Sequence, residues 1–150
     1  MKRRSFISMA LAGVGTLLWP LGPSRAGVAD ATVYKDPNCG CCNKWIDHLK
    51  RAGFMVEAYN RDDMAKIKAE LGVPRGLESC HTALIEGYVV EGHVPIADIE
   101  RMLTEKPDGL GLAVPGMPIG SPGMEYGDEK EPYSVVLFRA DGRQSVFSRY

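Results

Sequence analysis

The chain has 150 residues, 45% hydrophobic and 25% charged, with 18 Lys and Arg against 19 Asp and Glu. That is the composition of one globular domain, and it excludes a disordered chain, a collagen and a coiled coil. The near-neutral balance also removes the basic footprint of a protein that tracks nucleic acid or clings to an anionic membrane, so function is to be sought in a site.

Lys2, Arg3 and Arg4 precede an uncharged run from Ser5 to Ser24, and Ser24-Arg25-Ala26 resembles a small-residue cleavage site. Residues 1–26 read as a secretory signal peptide, leaving 27–150 as a single exported, periplasmic domain with no membrane attachment after cleavage. A transmembrane anchor is the competing reading, but Gly13, Gly15, Pro20, Gly22 and Pro23 leave less than the ~20 apolar residues a span requires. Arg3-Arg4-Ser5-Phe6-Ile7 also fits the twin-arginine export signal, which carries proteins across already folded. No Cys lies near the cleavage point, which argues against a lipid anchor. Cleavage removes Lys2, Arg3, Arg4 and Arg25 but no acidic residue, so the mature chain of about 124 residues is acidic by about five charges and can bury one core.

Ala31-Thr32-Val33-Tyr34 reads as a short strand ended by Asp36-Pro37-Asn38. Cys41 to Ala52 then places Trp45, Leu49 and Ala52 at helical spacing until Gly53 stops the helix. Phe54 to Tyr59 alternates as a second strand, and Met64, Ile67 and Leu71 mark a short amphipathic helix ending at Gly72. Thr82 to Glu86 and Tyr88 to Glu91 form two strands about Gly87, and Pro95 opens a third helix with Ile96, Ile99, Met102 and Leu103 on one side. The order is β-α-β-α-β-β-α, an α/β class with the thioredoxin-like arrangement.

Pro107 to Pro132 holds six glycines and five prolines and predicts a Gly/Pro/Met-rich loop. Leu110, Leu112, Val114, Met117, Ile119 and Met124 make it too apolar for a solvated linker, so it is expected to pack against the domain. Tyr133 to Phe138, the turn at Asp141-Gly142 and Gln144 to Tyr150 predict a C-terminal β-hairpin.

All four cysteines lie beyond the leader, three in Cys39-Gly40-Cys41-Cys42 at the start of the first helix and one in Ser79-Cys80-His81-Thr82. A helix N-terminus presents free N–H groups and a positive dipole end, which favour thiolate over thiol. Cys39 and Cys42 have the Cys-x-x-Cys register of a thioredoxin redox pair, and the fold brings the loop entering the third strand, with Cys80 and His81, toward the same helix end. Three readings follow. Two structural disulfides suit an even cysteine count in an oxidising compartment, although a Cys41–Cys42 bridge would be strained. Cys39 as exposed nucleophile with Cys42 as resolving thiol makes a thiol–disulfide oxidoreductase. Four thiolates also suit a soft metal: crowded sulfurs bridge several Cu(I) ions, whereas zinc, the second choice, wants four tetrahedral ligands that adjacent Cys41 and Cys42 do not easily supply. Met117 and Met124 add thioethers, soft Cu(I) ligands that double as gap-filling core residues. His81, beside Cys80, and His93, before the third helix, are the histidine candidates; His48 reads as a surface or core histidine and Trp45 as core.

Val33-Tyr34-Lys35, Cys39-Gly40-Cys41-Cys42, Ser79-Cys80-His81-Thr82-Ala83, Glu91-Gly92-His93-Val94-Pro95, Val114-Pro115-Gly116-Met117-Pro118 and Gly123-Met124-Glu125 together resemble the CopG-like family of periplasmic proteins, a domain of unknown function associated with copper resistance. The resemblance runs from about Ala31 to Tyr150. It implies a thioredoxin-like fold whose clustered cysteines bind copper, with a part in copper oxidation-state changes or detoxification. Copper ions and other periplasmic copper-handling proteins are the partners it implies. The first expectation is therefore an exported protein in which Cys39, Cys41, Cys42 and Cys80 hold Cu(I) as a thiolate cluster, with His81, His93, Met117 and Met124 as additional ligands. A thiol–disulfide oxidoreductase is the second, and a copper oxidoreductase using the same atoms is a hybrid of the two.

Overall fold

The computed structural model describes residues 29–150, so the leader and its cleavage site lie outside the described residues. Strand β1 (Asp30–Lys35) is followed by α1 (Gly40–Arg51), β2 (Met55–Asn60), α2 (Met64–Glu70), a short helical turn at Arg75–Leu77, β3 (His81–Ile85), β4 (Tyr88–Glu91) and α3 (Ile96–Glu105). This is the expected β-α-β-α-β-β-α order. Three more strands, β5 (Gly111–Ala113), β6 (Ser134–Phe138) and β7 (Gln144–Arg149), extend the sheet to seven in the order β2-β1-β3-β4-β5-β6-β7. β1 runs parallel to β2 and β4 to β5, and the other neighbours are antiparallel.

Alternation along the strands divides the interior into two layers. Val33, Ala83, Ile85, Val90, Leu112, Val135 and Leu137 point to one face, where Trp45, Ile46 and Leu49 of α1 and Ile99 and Met102 of α3 cover them. Val89, Ala113 and Phe138 point to the other, under Val73 and Leu77 of the segment after α2. Trp45 is fully buried, as expected for a core residue. No helix among the described residues is long and apolar enough to cross a membrane.

Two expectations are refined. The tract 107–132 is not wholly irregular, because β5 inside it joins the C-terminal hairpin to the thioredoxin-like strands. A Cβ at Gly111 would stand 1.8 Å from Val89 O, so only glycine lets this three-residue strand approach β4. At the β3–β4 turn, Glu86 (φ 49°) as well as Gly87 (φ 85°) leaves the strand, and Ile85 pairs Tyr88. Two consecutive positive φ values give the turn whose twist matches the flanking strands.

Candidate metal centre

The pole of the sheet where β1 ends and β3 begins carries the cysteines. Asp36 turns the chain out of β1: its carboxylate accepts the Asn38 N–H at 2.7 Å and its carbonyl the Cys39 N–H at 3.1 Å. Cys39 is the N-cap of α1, placing Cys41 and Cys42 in the first turn. Cys39 and Cys42 are joined as a disulfide, while Cys41 and Cys80 are free. Cys41 Sγ lies 3.4 Å from Cys39 Sγ and 3.9 Å from Cys80 Sγ. All four sulfurs fall within 4.8 Å of one another, and Cys80 also belongs to a second group of that size with His81 and His93.

The two imidazoles are held differently. His93 Nδ1 is 2.8 Å from Pro122 O, and a carbonyl only accepts, so Nδ1 carries the proton and Nε2 is bare. Cys80 Sγ, 3.1 Å from Nε2, donates its S–H there. That leaves the sulfur to accept from His81 Nδ1 at 3.3 Å, so His81 Nε2 is a bare, buried nitrogen with no hydrogen-bond partner. Trp45 packs on His81 with ring centroids 4.3 Å apart and donates its indole N–H to Val94 O at 2.9 Å, fixing the start of α3 against α1.

Burial pushes the Cys80 thiol up to about 12, with Cys41 beside it adding to the rise. Burial, then the neighbouring His93 and Lys68, holds His81 well below the usual histidine value. His93 is also lowered, by burial, against the opposing pull of Pro122 O and Glu125. Both rings are therefore neutral at neutral pH, the form that ligates metal. A His93 nitrogen masked only by a thiol proton, beside clustered sulfurs, fits a soft ion such as Cu(I).

The Gly/Pro/Met-rich loop closes over this pole, as its apolar content predicts. Gly123 (φ 90°) packs so closely that a Cβ would lie 2.9 Å from both Cys41 O and Trp45 N. Glu125 clamps the loop, accepting the Gly123 N–H at 2.8 Å and meeting His48 Nε2 of α1 at 2.7 Å. Met117 is half-exposed with its Sδ 4.0 Å from Cys41 Sγ. Met124, half-buried in the same loop, makes no sulfur hydrogen-bond contact with a cysteine.

Sequence reasoning missed the groups that position these side chains. On the sheet face opposite His81, Glu91 is fully buried and accepts Lys68 Nζ at 2.5 Å, the Ser79 N–H at 2.6 Å and the Thr82 hydroxyl at 2.6 Å. Both neighbours of the Cys80-His81 pair are thus tied to one carboxylate. Ser79 Oγ also donates to Gly116 O, linking Cys80 to the Met117 loop. A lysine on the apolar side of a short helix and a glutamate ending an apolar strand were the available signals.

Residues 77–124 match a family model described as a protein of unknown function, DUF411. Two solved structures, named copper resistance protein CopG in forms 1 and 2, are each 50% identical to this chain over 81% of its length. They superpose with TM-scores of 0.77 for form 1 and 0.78 for form 2, and 96% and 98% of their own chains are covered. No curated protein sequence matches.

Proposed function

The chain belongs to the family of the copper resistance protein CopG, and from that premise we propose that it is an exported, periplasmic copper-binding protein whose reduced cysteines hold Cu(I). The observation that carries this reading is the convergence of four sulfurs within 4.8 Å, with Cys80 shared with two neutral imidazoles. Cys39, Cys41, Cys42 and Cys80 are the thiolate ligands, His81 and His93 supply nitrogen, and Met117 adds a thioether at the exposed rim. Sulfurs crowded closely enough to bridge several ions favour Cu(I) over zinc here.

The Cys39–Cys42 disulfide sets a condition, since a bridged sulfur is no thiolate. Two electrons and two protons must reduce it before all four sulfurs bind metal. Elemental analysis of the chain, reduced and handled without oxygen, tests the reading. Copper at one or more ions per chain, lost in a Cys39→Ser, Cys42→Ser double variant, supports it. Protein that refuses Cu(I) while its thiols are free refutes it.

The same disulfide favours a second reading, a thiol–disulfide oxidoreductase with half-exposed Cys39 as nucleophile and buried Cys42 as resolving thiol. Its signature is turnover of a disulfide substrate that survives Cys41→Ser and fails in Cys39→Ser.

A further inference from the structure

With Cys39 and Cys42 already joined, two thiols remain at the pole, and they face each other. Cys41 Sγ and Cys80 Sγ are 3.9 Å apart, both residues are half-buried, and the nearer sulfur to Cys41, that of Cys39 at 3.4 Å, is taken. Closing the gap to a bond of ~2.05 Å takes about 2 Å of sulfur travel, within the reach of side-chain rotation at a partly exposed cysteine. Cys41 stands in the first turn of α1 with no histidine against its sulfur among the hydrogen bonds of the pole, whereas Cys80 is hydrogen-bonded to His93 Nε2 at 3.1 Å.

We infer that Cys41 and Cys80 form a second dithiol–disulfide couple beside Cys39–Cys42, one that exchanges with accessible small-molecule disulfides. Cys41 attacks one sulfur of the disulfide RS–SR, forming Cys41–S–SR and releasing RSH with the Cys41 proton. Cys80 then gives its proton to His93 Nε2 and attacks the Cys41 sulfur, and the second RS⁻ leaves with the proton from His93. RS–SR is reduced by two electrons to two RSH, and the two cysteine thiols are oxidised to one Cys41–Cys80 bond. The inference rests on the same sulfur pole as the copper reading, yet it needs no metal, so the two are separable.

The test treats the metal-free chain carrying the Cys39–Cys42 bridge with oxidised glutathione, then counts thiols and maps disulfides by peptide mass spectrometry. The expected result is a fall from two free thiols per chain to none, with an intrachain link between the peptides bearing Cys41 and Cys80. Cys80→Ser is expected to stall as a stable glutathione adduct at Cys41, with Trp45 fluorescence confirming that the variant is folded. Two persisting thiols, a stable glutathione adduct in the unsubstituted chain, a Cys39–Cys41 bond or a link between chains would each overturn the inference. A parallel reduced sample is loaded with Cu(I) and its copper counted. Copper bound without a Cys41–Cys80 link defeats the second couple alone, and a clean link in protein that refuses copper defeats the copper reading alone.

Discussion

His93 Nε2 lies 3.1 Å from Cys80 Sγ and is bare because the other ring nitrogen gives its proton to Pro122 O. Burial keeps this ring neutral, and it holds His81, which meets His93 edge to face, well below the usual histidine value. Below about pH 6.5 the unfolded chain binds protons that the native chain refuses, so stability is full above that value and falls as pH drops through it. Thermal unfolding of the metal-free chain is therefore expected at a lower temperature at pH 5 than at pH 7.5. His81→Phe, which keeps an aromatic ring against Trp45, is expected to flatten that dependence. An equal slope in the variant would mean that other groups control the acid limb.

Gly123 controls how closely the loop covers the sulfurs. Its φ is 90°, and a Cβ added there would stand 2.9 Å from Cys41 O and Trp45 N, so Gly123→Ala must lift the loop. The expected cost is roughly 1–3 kcal/mol of stability, the range for a strained backbone position. Copper per chain is expected to fall more than the fold does, because Met117 and the Pro122 carbonyl that orients His93 move with the loop. Chemical denaturation and metal analysis on one preparation separate these effects.

The strands and helices of the thioredoxin-like part were legible because each is a local pattern: Val33, Ala83 and Ile85 alternate, and Trp45 and Leu49 repeat at helical spacing. β5 was not, because a three-residue strand that opens on glycine carries no periodicity, and Gly111 is required by the nearness of Val89 O, a feature of the folded chain alone. The cysteine pole was legible from clustering plus topology. Its supports were not: Pro122 meets His93, Glu125 meets His48 and Glu91 meets Lys68 across separations that no spacing rule encodes. Chemistry-bearing side chains announce themselves by type, whereas the groups that orient them are recognised only by position.

Lys68 and Glu91 are such a pair, with side chains 6% and 0% exposed. Removing one partner leaves a buried charge unmatched, a loss of about 3–5 kcal/mol, whereas replacing both removes the desolvation cost as well. Lys68→Met is thus expected to destabilise the chain severely, and Lys68→Met with Glu91→Gln to recover most of the loss. The amide oxygen that Glu91→Gln leaves in place of the carboxylate still accepts the Ser79 N–H, so the double variant is expected to bind copper nearly as the unsubstituted chain does. A double-mutant cycle by urea denaturation reads the coupling, and a double variant no more stable than Lys68→Met would show that the pair's charges are not what the core requires.

Met117 offers the sharpest separation of binding from folding. It is 50% exposed, so its side chain contributes little to the core, yet its Sδ is 4.0 Å from Cys41 Sγ. Met117→Leu conserves volume and removes only the sulfur. The thermal midpoint of the metal-free chain is expected to stay within about a degree or two, as for surface substitutions away from special features. Copper is expected to leave the variant faster when a competing Cu(I) chelator is added, because a thioether at the rim is the first ligand an incoming chelator meets. Identical release kinetics in the two proteins would assign Met117 to the surface and leave the imidazoles and thiolates as the whole ligand set.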